Sequence, residues 1–325
     1  MSEVEELLSG VQERLTERLG PIRSWLFPPQ VYLQLEDEAI TAMALEGRRI
    51  TWLERVPLPM GLCEQGEPLR LDSLGDLLGD LFVERGYAGA RVDAVLPPAA
   101  SQMRLVQWPD GRWPEDPERT LALNDAALGL RTPLQYLDLH LVDLPRQTPT
   151  SLLVTVPSAT LDRWIEVFSL AQVSLERMEA AKPCFCRGLL PLLSGQQARS
   201  PIALLHLAPK RSGLLLLEDG VPVFERRLAG ADDHDGLVND LTRFQEFWAS
   251  QRSGRPAPLQ LVVHGPSVRD EAQAQQLAQA CQGSWRVLDP LADGWLSDAS
   301  PDDRPRPEGC ELAALWGLAA AEVMA

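Results

Sequence analysis

A chain of 325 residues, 45% of them hydrophobic, exceeds one average domain and can bury a sizeable core, so two domains are expected. The formal net charge of -16 repels polyphosphate backbones and anionic headgroups, which argues against nucleic acid and against unaided binding to an acidic membrane surface. No apolar run is long enough to span a bilayer, and the opening MSEVEELLSG is too acidic for a signal peptide. A cytoplasmic location is expected.

In chain order, Glu3 to Leu19 places Val4, Leu7, Leu8, Val11, Leu15 and Leu19 at helical spacing before Gly20-Pro21 stops the pattern. The polar face of this helix is acidic, which suits packing on the protein or on a partner better than on a membrane. Trp25, Leu26 and Phe27 are expected to tether it to the body. From Val31, VYLQLEDEAITAMALEGRRITWLERVPL reads as strand, polar turn, strand, Glu46-Gly47 turn, strand. Pro57 to Leu71 is a Pro/Gly-rich connection, and Asp72 to Arg85 a helix, with Ser73 and Asp76 at capping-box-like spacing and Gly86 past its end. Arg91 to Leu96 is a buried strand ended by Pro97-Pro98. Gln102 to Trp108 alternates loosely, Pro109 to Pro117 is a loop, and Thr120 to Gly129 is a short helix. Leu137, Leu139 and Leu141 then alternate with Asp138, His140 and Val142 as in a half-exposed strand. Leu152 to Val156 is another buried strand. Ser158 or Thr160 caps the next helix, whose inward stripe is Leu161, Trp164, Ile165 and Phe168. Val173 to Met178 is a strand, and Lys182 to Leu193 a helix.

The second half repeats the first. PIALLHLAPKRSGLLLLEDGVPVFERRL, from Pro201 to Leu228, again reads as three strands, and Asp219-Gly220 supplies the positive φ of a two-residue hairpin turn. A helix follows at Leu237 to Ser250, with Asp232, Asp233 and Asp235 near the positive end of its dipole. Then come a strand at Leu259 to His264, a Gly265-Pro266 turn, a helix at Arg269 to Cys281 and a strand at Trp285 to Leu288. Asp298 to Gly309 is a surface loop. Cys310 to Val323 is an Ala-rich, nearly apolar helix, too short to span a membrane and expected between layers.

Residue chemistry points away from catalysis. The five cysteines are odd in number and lie mostly in apolar surroundings, as buried unbridged thiols do. His140, His206, His234 and His264 are scattered without metal-ligand spacing, and neither G-x-S-x-G nor a P-loop occurs. No catalytic or metal residue is assigned.

Two halves of three antiparallel strands, each continued as helix-strand-helix-strand, imply an α/β chain with the actin-like ATPase (ribonuclease-H-type) fold. The chain resembles the PilM-type pilus-assembly proteins, close to FtsA within the actin-like group. The likeness lies in VYLQLEDEAITAMALEGRRI, in RVPLPMGLCEQGEPLRLDSLGDLLGDLFVERGYAGARVDAVLPPAASQMRLVQWP and in SLLVTVPSATLDRWIEVFSLAQVSLERMEAAKPC. It continues through the second triple strand, LQLVVHGPS and ELAALWGLAAAEV. It implies an N-terminal helix and tether over 1–30, a first lobe over 31–200 with a small subdomain inserted at about 97–150, a second lobe over 201–309, and a closing helix over 310–325 packed back on the first lobe. It further implies an ATP cleft between the lobes and a groove beside the insert for the cytoplasmic tail of a bitopic inner-membrane partner, PilN. A homo-oligomeric ring beneath the inner membrane is part of the same expectation.

Against that resemblance the phosphate loops depart from pattern. The first should carry an aspartate and then a glycine; here the positions are Gln34 and Glu36, followed by Asp37 and Glu38. The second has His206 and Ala208 in place of aspartate and glycine, leaving Ser212 near the hydroxyl position. The adenosine-side turn keeps Gly265 with Pro266. A carboxylate about 4 Å from a phosphate charge costs roughly 1 kcal/mol in water and about 4 kcal/mol at an effective dielectric of 20. A nucleotide cofactor is therefore not expected beyond weak Mg-ATP binding. Lys210 and Arg211 either attract an anion or form a solvated tip. Arg104, Val106 and Trp108 form a candidate partner surface on an edge strand, unless Trp108, like Trp113, packs at a subdomain junction. The function implied is a non-enzymatic scaffold of type IV pilus assembly. The alternatives are an ATP-binding actin-like protein or kinase, and the cytoplasmic platform of a type II secretion system of the GspL type.

Overall fold

In the computed structural model, residues 28–144, 146, 148–193, 201–251, 259–268, 271–280, 283–300 and 304–323 are described. The expected N-terminal helix, its aromatic tether and Cys281 lie outside these residues.

The first lobe is built from β1 (Gln30–Leu35), β2 (Ala39–Glu46), β3 (Arg49–Pro57), a small hairpin of β4 (Cys63–Glu64) and β5 (Glu67–Pro68), α1 (Leu71–Glu84) and β6 (Arg91–Leu96). The insert follows as β7 (Gln102–Gln107), α2 (Pro117–Leu123), α3 (Asp125–Leu128), β8 (Leu137–Leu144) and β9 (Thr150–Pro157). The chain returns to the first lobe with α4 (Ser158–Leu170), β10 (Ser174–Ala180), α5 (Ala181–Gly188) and the single turn α6 (Leu190–Leu193). The second lobe comprises β11 (Ile202–His206), β12 (Arg211–Glu218), β13 (Val221–Ala229), α7 (His234–Gln251), β14 (Gln260–His264), α8 (Glu271–Ala280) and β15 (Ser284–Val287). The chain ends with β16 (Ser297–Asp298) and α9 (Ala313–Val323).

The duplication read from the strand pattern is explicit in the topology. The first sheet runs β10-β6-β1-β2-β3-β16 and the second β13-β12-β11-β14-β15. In each, the first strand of the lobe lies inside the sheet: β1 pairs antiparallel to β2 and parallel to β6, and β11 antiparallel to β12 and parallel to β14. The Asp219-Gly220 turn joins β12 to β13 with φ of 52° and 76°, the two successive positive angles that a tight hairpin of this twist requires.

Alternation sorts each sheet into two faces. Val31, Leu33 and Leu35 join the outer core of the first lobe with Leu74, Leu78, Trp164 and Phe168. Tyr32, Met43 and Val95 face the other way and meet Ile202, Leu204, Leu215 and Val262 of the second sheet, with α5 and α9 between them. Hence α9 is apolar on every side from Ala313 to Ala320, where both of its sides are covered. Gly317 allows the backbones of α5 and α9 to touch, since a Cβ there would lie 1.8 Å from the Cys184 carbonyl oxygen.

Some local expectations differ from what forms. α1 begins one residue before Asp72 with no side-chain cap, so Ser73 and Asp76 make no capping box. α4 likewise has no side-chain cap, and it turns Ile165 outward and Val167 inward. The Pro57–Leu71 connection holds the β4–β5 hairpin, and the 298–309 loop begins with a strand that joins β3. β9 pairs with β7 and β8, so the insert's sheet extends through Pro157.

Candidate functional site

The repeated strand order brings two equivalent hairpin tips face to face: Glu36–Glu38 between β1 and β2, and Leu207–Lys210 between β11 and β12. At the first tip the three acids do different things. Glu36 is buried and accepts from Gln34 Nε2 at 3.0 Å and from Arg55 at 2.9 Å, while Arg55 also pairs with Glu311 at 2.8 Å. Burial pushes its carboxyl upward, opposed chiefly by the Arg55 guanidinium. Asp37 turns into its own lobe, where Oδ1 accepts from the Gly66 amide at 2.7 Å and from the Cys63 thiol at 3.6 Å. Glu38 reaches the other tip and pairs with Lys210 Nζ at 2.8 Å. Each acid of the run thus has its own partner, and Lys210, with its side chain 81% exposed, is a surface residue that pairs across the cleft.

At the second tip His206 is stacked, not presented. Its ring lies 5.2 Å from Phe185 and 4.9 Å from His264, the β14 residue opposite it in register. Burial, then the Lys182 charge, holds His206 at about 4, and burial takes His264 well below its ordinary range, so both are neutral. His206 Nδ1, His264 Nε2 and Gln34 Oε1 have no partner among the described residues. Ser212, also without a partner for Oγ, shares the alternation of Leu214 and Leu216, which pack in the outer core of the second lobe. Ala208 accepts from the Ala231 amide at 2.9 Å. Gly265, at φ 114°, sits so close to the other tip that a Cβ would lie 2.5 Å from the Leu207 carbonyl oxygen.

Phosphate loops grip by free backbone amides and glycine-sized approach. Here the amides of Glu36, Leu207 and Gly265 donate to Ala39, His264 and Cys310 at 3.0, 2.7 and 2.9 Å. These three amides are not free to hold a phosphate.

Below the tips the lobes meet again at Glu225 of β13. Its carboxylate takes Lys182 Nζ at 2.9 Å and the Met103 amide at 2.7 Å, with Arg104 at 3.7 Å. Lys182 also donates to the Ser101 carbonyl. This junction of α5, β7 and β13 escaped sequence reading, as did Arg55 with Glu311, because each joins residues remote in the chain with no local pattern to mark them.

In the insert, Val106 and Trp108 are buried with Leu121, Leu134 and Leu153 beneath α2, and Trp108 Nε1 donates to Ser151 at 2.8 Å. Arg104 shares their face and donates to the Met103 and Gly129 carbonyls. The expected partner surface is therefore corrected at Val106 and Trp108, which are covered, while the Arg104 side chain stays 31% exposed. The opposite parity of β7 carries Leu105, which is partly exposed beside the partly exposed Leu152 and Val154 and the exposed Val142. Trp113 is exposed.

No protein-family profile and no curated protein matches the chain. Solved structures do. The chain superposes on a structure described as the PilM-PilN type IV pilus biogenesis complex with TM-score 0.75 at 15% identity, covering 91% of this chain and 98% of that one. It superposes on the ethanolamine utilization protein EutJ from Carboxydothermus hydrogenoformans with TM-score 0.50 at 9% identity, covering 90% and 89%. The cytoplasmic domain of EpsL, an inner membrane component of the type II secretion system of Vibrio cholerae, gives TM-score 0.47 at 10% identity, covering 90% and 95%. At these identities the likeness speaks to architecture: the chain has the actin-like fold, in the form seen in the PilM-PilN structure.

Proposed function

We propose that the protein is a non-enzymatic scaffold of a type IV pilus assembly machine, holding the cytoplasmic tail of a bitopic, PilN-like inner-membrane protein. The observation that carries the loss of catalysis is the internal use of the phosphate grip. Glu38 and Lys210 pair across the tips at 2.8 Å, and the amides of Glu36, Leu207 and Gly265 already have acceptors. The pilus assignment draws on the fold shared with the PilM-PilN structure over nearly the whole of both chains. No helix among the described residues is long and apolar enough to cross a membrane, so attachment to the inner membrane is assigned to the partner.

Titration with millimolar Mg-ATP tests the first half: no thermal shift is expected. A clear shift abolished by Gln34→Ala would establish an ATP-binding actin-like protein instead. Affinity capture with the full chain tests the second half, and the expected partner is a single-span inner-membrane protein of pilus assembly. Capture of a type II secretion component alone would overturn the pilus assignment.

A further inference from the structure

The end of the molecule opposite the tips carries an apolar surface with a basic border. The Glu46-Gly47 and Asp219-Gly220 turns lie there, because β2 and β12 each run from a tip to one of them. So does α6, which meets the second of these turns: a Cβ added at Gly220 would lie 3.3 Å from Leu193 Cδ1. α6 reads Leu-Pro-Leu-Leu, and none of the four residues is buried; Leu190 is 47% exposed. Leu45 of β2 is also only partly buried, and like Leu192 and Leu193 it packs on the interlobe core. The link that follows α6, SGQQARS, has no apolar side chain larger than alanine with which to cover them.

The basic border lies on the first-lobe side. Arg48 follows the Glu46-Gly47 turn, and Arg91 opens β6, opposite Gln30 in register and on the face that Val95 turns to the interlobe core. Both arginines are exposed, and neither side chain has an ion pair or hydrogen bond among the described residues. Glu46 is already paired with Arg49 at 3.7 Å, and Glu218 and Asp219 belong to the second-lobe hairpin. The chain enters the fold at this same end: the Pro29 carbonyl accepts from the Arg91 amide at 3.0 Å, and β1 starts at Gln30. Residues 1–27 come before it.

We propose that the chain's own N-terminal segment, residues 3–19, docks as a helix on this surface, with its apolar stripe on α6 and Leu45 and its acidic face toward Arg48 and Arg91. Val4, Leu7, Leu8, Val11, Leu15 and Leu19 supply the stripe, and Glu5, Glu6, Glu13 and Glu17 the charge. Such a helix is about 25 Å long, and the tether over 20–28 spans up to about 30 Å when extended, so the segment reaches the surface without crossing the cleft. Seated there, it bridges the first lobe at Leu45 and, through α6, the second-lobe turn at Gly220. It is a clamp at the end of the lobes away from the Glu38–Lys210 pair. An anionic membrane is a poor alternative, because membrane-surface helices carry Lys and Arg on the polar face. A second copy of this chain, with net charge -16, is opposed by like charge. The inference does not depend on the scaffold reading.

Amide hydrogen exchange on the full chain tests the docking. Amides of residues 3–19 are expected to exchange at least about tenfold slower than in an isolated peptide of the same sequence, at any protein concentration. Leu8→Asp/Leu15→Asp should speed exchange about tenfold both in that segment and in α6. Leu190→Asp, at a position exposed enough to leave the fold intact, should release the segment to the same extent. Arg48→Glu/Arg91→Glu should release it by about threefold, an effect that shrinks at high salt. Val83→Asp, at an exposed apolar position on α1, should leave it protected. Fast exchange of residues 3–19 in the wild type would overturn the proposal, as would protection that Leu190→Asp and Arg48→Glu/Arg91→Glu both leave intact. Equal release by Val83→Asp would overturn it too. Protection that appears only at high protein concentration would assign the surface to a second copy, and protection that appears only with phosphatidylglycerol vesicles would assign the helix to a membrane; either result overturns the docking.

Discussion

Replacing Glu225 by glutamine separates a lobe junction that stabilises the protein from one that merely touches. Glu225 and Lys182 have side chains 10% and 11% exposed, and the same carboxylate receives the Met103 amide. Removing one charge of a buried pair leaves the other uncompensated, a loss of roughly 3–5 kcal/mol. Glutamine keeps an acceptor for the amide, which places the expected loss near the lower end, about 3 kcal/mol. Burial depresses the Lys182 pKa, and Glu225 opposes that depression. A lysine whose folded pKa lies below its unfolded value binds fewer protons in the native state, so stability rises with pH across the interval between the two. Without Glu225 that interval widens toward neutral pH. The deficit of the variant should therefore be largest at low pH and shrink as pH rises. Urea unfolding of both proteins at about pH 6 and about pH 9 measures this. Glu225→Leu combined with Lys182→Met should recover most of the loss. A variant within about 1 kcal/mol of the parent, or a deficit that does not change with pH, would refute the reasoning.

The neutral histidine pair gives a second pH dependence of known sign. His206 is lowered from 6.5 to about 4, so the unfolded chain binds more protons in that interval and stability falls as pH drops through it; His206→Phe, which keeps a ring against Phe185, should flatten the slope in acid unfolding. Gly317→Ala should cost about 1–3 kcal/mol in chemical denaturation by forcing α5 from α9, whereas Gly213→Ala, with nothing within 4 Å of the added carbon, should be close to neutral. The parity of β7 predicts that Val106→Asp destabilises the insert by roughly 2 kcal/mol or more, because it buries a carboxylate beneath α2. Leu105→Asp should change stability by less than about 1 kcal/mol; limited proteolysis of the insert distinguishes the two.

The duplicated strand pattern was legible in the sequence because burial on both faces of a sheet writes itself as apolar runs, and Glu46-Gly47 and Asp219-Gly220 mark the turns between them. The surfaces of single helices were harder to read. Ile165 and Val167 are both apolar but, two residues apart, point to nearly opposite sides of the helix, and which one faces inward depends on how α4 lies against α1. In β7 the loose alternation left both parities open. Arg104, Val106 and Trp108 belong to the covered face because α2 folds over that side, and nothing within Gln102–Trp108 carries that information. At the cleft the sequence disclosed the missing glycines but not the partners of the acids, since Arg55, Glu311, Gly66 and Lys210 reach them from distant strands and turns.

By itself, then, the sequence determined most of the elements, their duplication and the residue types at the two tips, all of which follow from local spacing and residue type. The tertiary structure decided which charges meet and which faces remain open. An ion pair such as Glu225–Lys182 joins residues with no relation in chain order, and the lobes set its partners only when α5 and α9 bring the two sheets together.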